Sequence, residues 1–233
     1  MKTKISILTI TLVASTALMF TGCGTDDLST PTIVLDGDDP MEIILGDTWT
    51  DPGFTATDDE DGDISANVVV DDTDVDTDEI GEYEVSYTVS DDAGNVGTTT
   101  RVVRVVMGKS TYLGIYSVHE ICDMDGDGIY GEADVDYEIN DYTVTISAGG
   151  DPDELLFENF GAYGTGVVVP VFFQGTLNDE LVVDDYNLPG STIYFNADGQ
   201  VTTGIVGTIE FDLDYTAEDG VDIVPCQATF EKL

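Results

Sequence analysis

Apolar residues in this chain come in short alternating runs, and that rhythm admits strands far more readily than helices. Met41-Glu-Ile-Ile-Leu45, Asn67-Val-Val-Val70, Tyr83-Glu-Val-Ser-Tyr-Thr-Val89 and Arg101-Val-Val-Arg-Val-Val106 read as strands, and Tyr83–Val89 alternates strictly with period two. Such a period sends alternate side chains to opposite faces of a sheet. Gly and Asp clusters punctuate the runs roughly every 8 to 15 residues, as turns do. Beyond Ser110 the same texture continues in Tyr112–His119, Asp136–Ser147, Leu155–Phe160, Gly166–Gln174, Glu180–Asp184, Thr192–Asn196, Gly207–Thr216 and Ile223–Glu231. Sustained 3.6-residue periodicity is absent outside the first 22 residues. The expected fold class is therefore all-β in two modules, 31–107 and 110–233, with Met107-Gly108-Lys109-Ser110 as the joint. The second module is expected to be a small antiparallel β-barrel or a second sandwich.

The length and strand spacing of residues 31–107 suit an immunoglobulin-like sandwich, although the cysteine pair of antibody domains is missing. Particular motifs narrow this further. They are Pro31-Thr-Ile, Leu35-Asp-Gly37, Gly46-Asp-Thr-Trp-Thr-Asp-Pro-Gly53, Ala56-Thr-Asp58, Asp61-Gly-Asp-Ile64, Gly81-Glu-Tyr83 and Asp91-Asp-Ala-Gly-Asn95. In that order they resemble the bacterial Ig-like domain of pesticidal crystal proteins and many Bacteroidota lipoproteins, a relative of hyalin repeats. The resemblance implies a spacer or adhesion module without catalytic residues. Asp91 to Asn95 is also hairpin-turn chemistry, with Gly94 and Asn95 both able to take positive φ. Trp49, the sole Trp, reads as a half-buried strand or edge aromatic, with a solvent-facing glycan platform as the alternative. Gly114-Ile-Tyr116 and Cys226-Gln-Ala-Thr-Phe230 bear a looser resemblance to C-terminal domains of Bacteroidota lipoproteins, which implies a lipocalin-like or sandwich fold.

Residues 1–22 have a basic start at Lys2 and Lys4 and an apolar stretch from Ile5 to Phe20, as a secretory signal does. Thr21-Gly22-Cys23 resembles a bacterial lipobox, with Phe20 where Leu is usual. The resemblance implies lipidation of Cys23, multiple acyl chains anchoring far better than one. An ordinary signal peptide with an incidental Cys is the alternative. Residues 23–30, with Gly24-Thr25-Asp26-Asp27, resemble the acidic tether of surface-exposed lipoproteins. The expected location is the outer membrane, facing outward.

Charge removes several functions. Six Lys and Arg stand against 48 Asp and Glu, a net charge of -42. Nucleic-acid phosphates and anionic lipid headgroups are repelled by such a surface. Cations, basic partners and neutral ligands remain; solubility or life in a salty medium is the plain explanation. His119 is the sole His and has no nucleophile elbow or metal-ligand spacing around it. A glycine-rich phosphate loop is missing too. Paired carboxylates carry no information among 48 acids. The chain is expected not to be an enzyme.

Two cysteines and one acidic loop carry the remaining chemistry. Cys122 and Cys226 are expected to pair in an oxidising compartment, with free thiols or a metal site as alternatives. Asp123-Met-Asp125-Gly-Asp127-Gly128-Ile129 through Asp134 has the spacing of a calcium loop. Asp123, Asp125 and Asp127 would bind through carboxylates, Ile129 through its carbonyl, and Asp134 would close the shell. The loop resembles those of EF-hands, dockerins and thrombospondin repeats, but it ends in Asp and is flanked by strands; a solvated loop is the alternative. Asp58, Asp61 and Asp63 form a second, weaker metal candidate within the Ig-like motif. Together these features predict a non-catalytic, lipid-anchored surface protein. An Ig-like spacer or adhesion module would carry a distal, calcium-stabilised module that binds a glycan or a cell-surface protein. A glycan-binding accessory of a polysaccharide uptake system is one alternative, and a hydrolase is another.

Overall fold

A computed structural model describes residues 27–123, 137–162, 166–188, 194–218 and 223–233. Its first module contains β1 (Thr32–Leu35), β2 (Met41–Ile44), β3 (Phe54–Asp58), β4 (Gly62–Asp63), β5 (Val69–Asp71), β6 (Gly81–Ser90) and β7 (Val96–Val106). They form two sheets, β1-β3-β4 and β2-β7-β6-β5. The long β6–β7 hairpin dominates, and β2 joins β7 in parallel. Alternation decides which residues enter the core. On β6 Val85, Tyr87 and Val89 are buried, and on β7 Val103 and Val105. Ile43 and Phe54 from other strands, and Trp49 from the connection between β2 and β3, pack against that face. Gly97 has to be glycine, because a Cβ there would lie 2.2 Å from the Pro31 carbonyl oxygen of the lead-in to β1.

Arg101 occupies an inward position of β7 and is fully buried. Its guanidinium donates to the carbonyl oxygens of Asp36 (2.5 Å) and Asp38 (2.6 Å), in the connection between β1 and β2. Tyr87, also buried, donates its hydroxyl to Asp51 Oδ2 at 3.1 Å. A buried cation is tolerated only with such close acceptors, so Arg101 fixes a turn that has few apolar contacts of its own.

A short helix, α1 (Lys109–Tyr112), follows β7 and leads into the second module. There β8 (Gly114–Cys122), β9 (Tyr137–Ala148), β10 (Glu154–Glu158), β11 (Val168–Gln174), β12 (Glu180–Asn187), β13 (Tyr194–Ile205), β14 (Thr208–Glu218) and β15 (Ile223–Lys232) each pair with the next. β15 pairs back onto β8, so the sheet closes into an antiparallel barrel. Closure removes the exposed edges that a sandwich would leave. Eight strands enclose a space about wide enough for side chains alone, and here aromatic rings fill it. Phe157, Phe160, Phe195 and Phe230 are all fully buried and meet one another at centroid distances of 5.4 to 6.4 Å.

The modules share apolar surface. Leu45, Val105 and Met107 belong to the same buried cluster as the barrel residues Tyr112 and Tyr116. Main-chain bonds bind the joint: Met107 N–H to Leu177 O, Ile80 N–H to Gly204 O and Val206 N–H to Asp78 O. The lead-in to β6 thereby extends the β13–β14 hairpin.

Cys122 and Cys226 form a disulfide between directly paired positions of β8 and β15. It staples the seam at which the first and last barrel strands meet. The cysteines are 104 residues apart, a loop whose closure contributes about 4–5 kcal/mol in the chain-entropy model. Replacing both cysteines by Ser is expected to lower Tm by on the order of 10 °C for a chain of this size. Calorimetry checks the shift, and a non-reduced digest should join the two cysteine peptides by mass.

Candidate metal centre

Asp58 ends β3 and opens a tight turn into β4. Its Oδ1 accepts the amide N–H groups of Glu60 (2.9 Å) and Asp61 (3.1 Å), so the carboxylate is fixed by its own loop. Asp91 governs the β6–β7 hairpin in the same manner. Its Oδ1 accepts from Gly94 N–H (2.6 Å) and Asn95 N–H (2.7 Å), and its Oδ2 accepts from Asn95 Nδ2 (2.8 Å). Gly94 takes the positive φ that this turn needs (95°). Asn95 contributes its side-chain amide, which also donates to the carbonyl oxygen of Asp27 at 3.2 Å. Burial pushes the Asp91 carboxyl up, but the donors from Asn95, Gly94 and Ala93 outweigh it and hold the group below the usual carboxylate value.

These turns bring three carboxylates together. One oxygen each from Asp27, Asp58 and Asp91 lies within 4.8 Å of the others. Asp27 comes from the segment ahead of β1, where its Oδ1 accepts Ser29 N–H at 2.8 Å. Asp58 and Asp91 are each only 8% exposed. The Asp58 Oδ2 atom is buried with no hydrogen-bond partner.

Of the sequence candidates Asp58, Asp61 and Asp63, only Asp58 belongs to this group. Asp61 lies beside it and ties the two turns together by accepting Asp92 N–H at 2.7 Å. Asp63 turns the other way. It accepts both the amide (3.0 Å) and the hydroxyl (2.6 Å) of Ser65, and these donors lower its pKa. Asp27 and Asp91 escaped the sequence reading because their partner is remote in the chain. The turn motif Asp91–Asn95 was the one available signal, and it read as a hairpin.

A second set of potential ligands, Glu120 with Cys122 and Cys226, is also close-packed. Both sulfurs are consumed by the disulfide, so no thiolate is on offer. Glu120, 1% exposed, instead accepts the Tyr142 hydroxyl at 2.5 Å. Burial, then the charge of Glu120, raise the Tyr142 pKa and keep it a phenol donor. His119 is exposed on β8. In the proposed calcium loop Asp123 is described, 2% exposed, with its N–H on the Pro225 carbonyl oxygen at 3.0 Å. Asp125, Asp127, Ile129 and Asp134 lie outside the described residues, as does Cys23.

Ser65 supports the turn that presents Asp58. Its Oγ accepts the N–H of Ala56, a fully buried residue, at 2.9 Å while donating to Asp63. Ser65→Ala is expected to cost about 1–2 kcal/mol by leaving that N–H unpaired, read by denaturant unfolding. The Asp63 contribution to this loss is full above its ordinary pKa of 3.8 and fades as pH falls through its lowered folded value. The deficit should therefore narrow, without vanishing, as pH falls below that value.

No curated protein matches this chain. Among solved structures it is similar to a lipoprotein of Bacteroides thetaiotaomicron, at 18% identity and a TM-score of 0.32 over 87% of this chain and 100% of the other. It is also similar to a Bacteroides ovatus protein of unknown function, at 10% identity and a TM-score of 0.35 over 88% and 95% of the two chains. A third similarity is to CBM51-2 with the INT domains of Clostridium perfringens ZmpB, solved in complex with GlcNAc. It has 14% identity and a TM-score of 0.31, and this chain covers 48% of that one. Residues 33–105, the two-sheet module that carries Asp58 and Asp91, match the family described as the bacterial surface protein Ig-like domain.

Proposed function

We propose that this chain is a non-catalytic, lipid-anchored protein of the bacterial outer surface. Its Ig-like module would act as a spacer or adhesion unit that carries the barrel as the distal binding module. The reading rests on one observation above others, the match of residues 33–105 to a bacterial surface Ig-like domain. The lipobox resemblance at Thr21-Gly22-Cys23 supplies the anchor. The packing of the barrel supports external recognition, since phenylalanine rings occupy its interior. Calcium at Asp123, Asp125, Asp127, Ile129 and Asp134 would stiffen the connection between β8 and β9. The two ends of that connection are already held together by the pairing of Cys122 with Tyr137.

A glycan-binding accessory role is the second reading, favoured by one groove on the outer wall of the barrel. It measures about 550 Å³ and is lined by Gln174, Glu180, Asp198, Gln200, Thr202 and Asp212, with Gly199 at its floor. Gly199 lets β13 coil tightly onto β14, since a Cβ there would stand 2.1 Å from the Asp212 carbonyl oxygen. Amides, carboxylates and a hydroxyl are the donors and acceptors that sugar hydroxyls use.

Cys23→Ala is expected to move the protein from the membrane fraction to the soluble fraction and to abolish labelled palmitate uptake. Continued membrane partition of the variant, with no label on the wild type, would sink the anchored reading. Glycan arrays with the wild type and Gln200→Ala separate the second reading from the first.

A further inference from the structure

We propose that Asp27, Asp58 and Asp91 form a binding site for a hard divalent cation of the calcium class. The ion would clamp the segment ahead of β1 onto the two turns at the head of the Ig-like module. Three carboxylate oxygens within 4.8 Å of one another concentrate like charge on a small surface. Such crowding is unfavourable without a positive partner.

The described residues supply none. Outside residues 1–22 the chain's basic side chains are Arg101, Arg104, Lys109 and Lys232. Arg101 holds Asp36 and Asp38 carbonyl oxygens, and Arg104 pairs with Glu82. Lys109 holds the carbonyl oxygens of Gly149 and Asp151, and Lys232 that of Thr111. All four are engaged elsewhere.

The second observation is Asp58 Oδ2, which is buried and has no hydrogen-bond partner on a residue 8% exposed. Buried polar atoms are nearly always satisfied, and an ion is one accepted reason for an exception. The sister oxygen Oδ1 takes two amide N–H groups and so keeps the carboxylate aimed at the cluster. The donor set is oxygen alone, which selects calcium or magnesium over zinc. Calcium accepts six to eight oxygens in flexible geometry, whereas magnesium demands a near-ideal octahedron. Carboxylates fixed by two separate turns and the segment ahead of β1 suit the more permissive ion, with water or main-chain carbonyls completing its shell. Resting on the anchored reading above, the same ion would set the direction in which the module leaves the membrane, since Asp27 follows Cys23 by four residues. The binding site itself does not depend on that reading, and its test makes no use of the anchor.

The test uses the full chain purified in detergent, stripped of metal, with Asp125→Ala and Asp127→Ala as background to silence the other acidic loop. Calorimetric titration with calcium chloride should give about one ion per chain, with a Kd of about 0.1–1 mM as in extracellular calcium modules. Adding Asp58→Asn to that background should weaken binding at least tenfold. Melting should show a crossover. In chelator the Asp58→Asn protein should melt above its background, because one of three repelling charges is gone. In 10 mM calcium it should melt below. Asp27→Asn, at the margin of the fold, should repeat the pattern and guards against misfolding at Asp58. The proposal is overturned if the background protein takes up no calcium. It is overturned equally if the melting order of background and variants is the same with and without the ion, as general screening or a shared proton would give.

Discussion

Scarcity of cations governs how this protein is built. With 48 acidic side chains and six basic ones, the fold cannot rest on ion pairs, and surface pairs contribute little in any case. Three of the four basic residues beyond the N-terminal segment hold main-chain carbonyls, at Arg101, Lys109 and Lys232. Arg104 with Glu82 forms the ion pair seen among the described residues. Carboxylates are instead accommodated by neutral donors close by in the chain. Asp51 accepts from Gly53, Asp63 from Ser65, Asp71 from Thr73 and Asp76 from Asp78, each two residues on. These short-range bonds hold acidic turns in shape without positive charge. Where two turns and the segment ahead of β1 converge, at Asp27, Asp58 and Asp91, the neutral donors no longer suffice, and Asp58 Oδ2 is left over.

Cohesion therefore falls to apolar burial and to sheet closure. The barrel interior is a continuous cluster that extends through Tyr112 and Met107 to Leu45 of the first module. That shared core makes the joint a packed interface, not a free linker. The repulsion of an acidic surface works against compaction, and the seam between β8 and β15 joins the two ends of the barrel module. The Cys122–Cys226 bridge lies across that seam.

The strands of the barrel were legible from two-residue alternation, and each of the eight runs overlaps a strand, although Thr192–Asn196 meets only the first three residues of β13. Whether they close into a barrel was not legible, since closure depends on pairing between β15 and β8 at opposite ends of the module. β1 and β3 gave weaker signals. Thr32–Leu35 and Phe54–Asp58 are short, and β1 is only half-buried on its inner face. Asp58 was visible in its motif. Its partners were not, because proximity in space leaves no mark on a sequence this rich in acidic loops.

The central claim is that these carboxylates are held locally, by turn donors and by a bound divalent ion, and not by uniform screening. Amide hydrogen exchange across the whole chain carrying Asp125→Ala and Asp127→Ala, with calcium and then with magnesium at equal ionic strength, tests it most directly. The account predicts that calcium slows exchange selectively at Ser29, Glu60, Asp61, Gly94 and Asn95, whose N–H groups hold the three carboxylates from behind. Protection that rises evenly over barrel and Ig-like module alike, and equally for both salts, would contradict it.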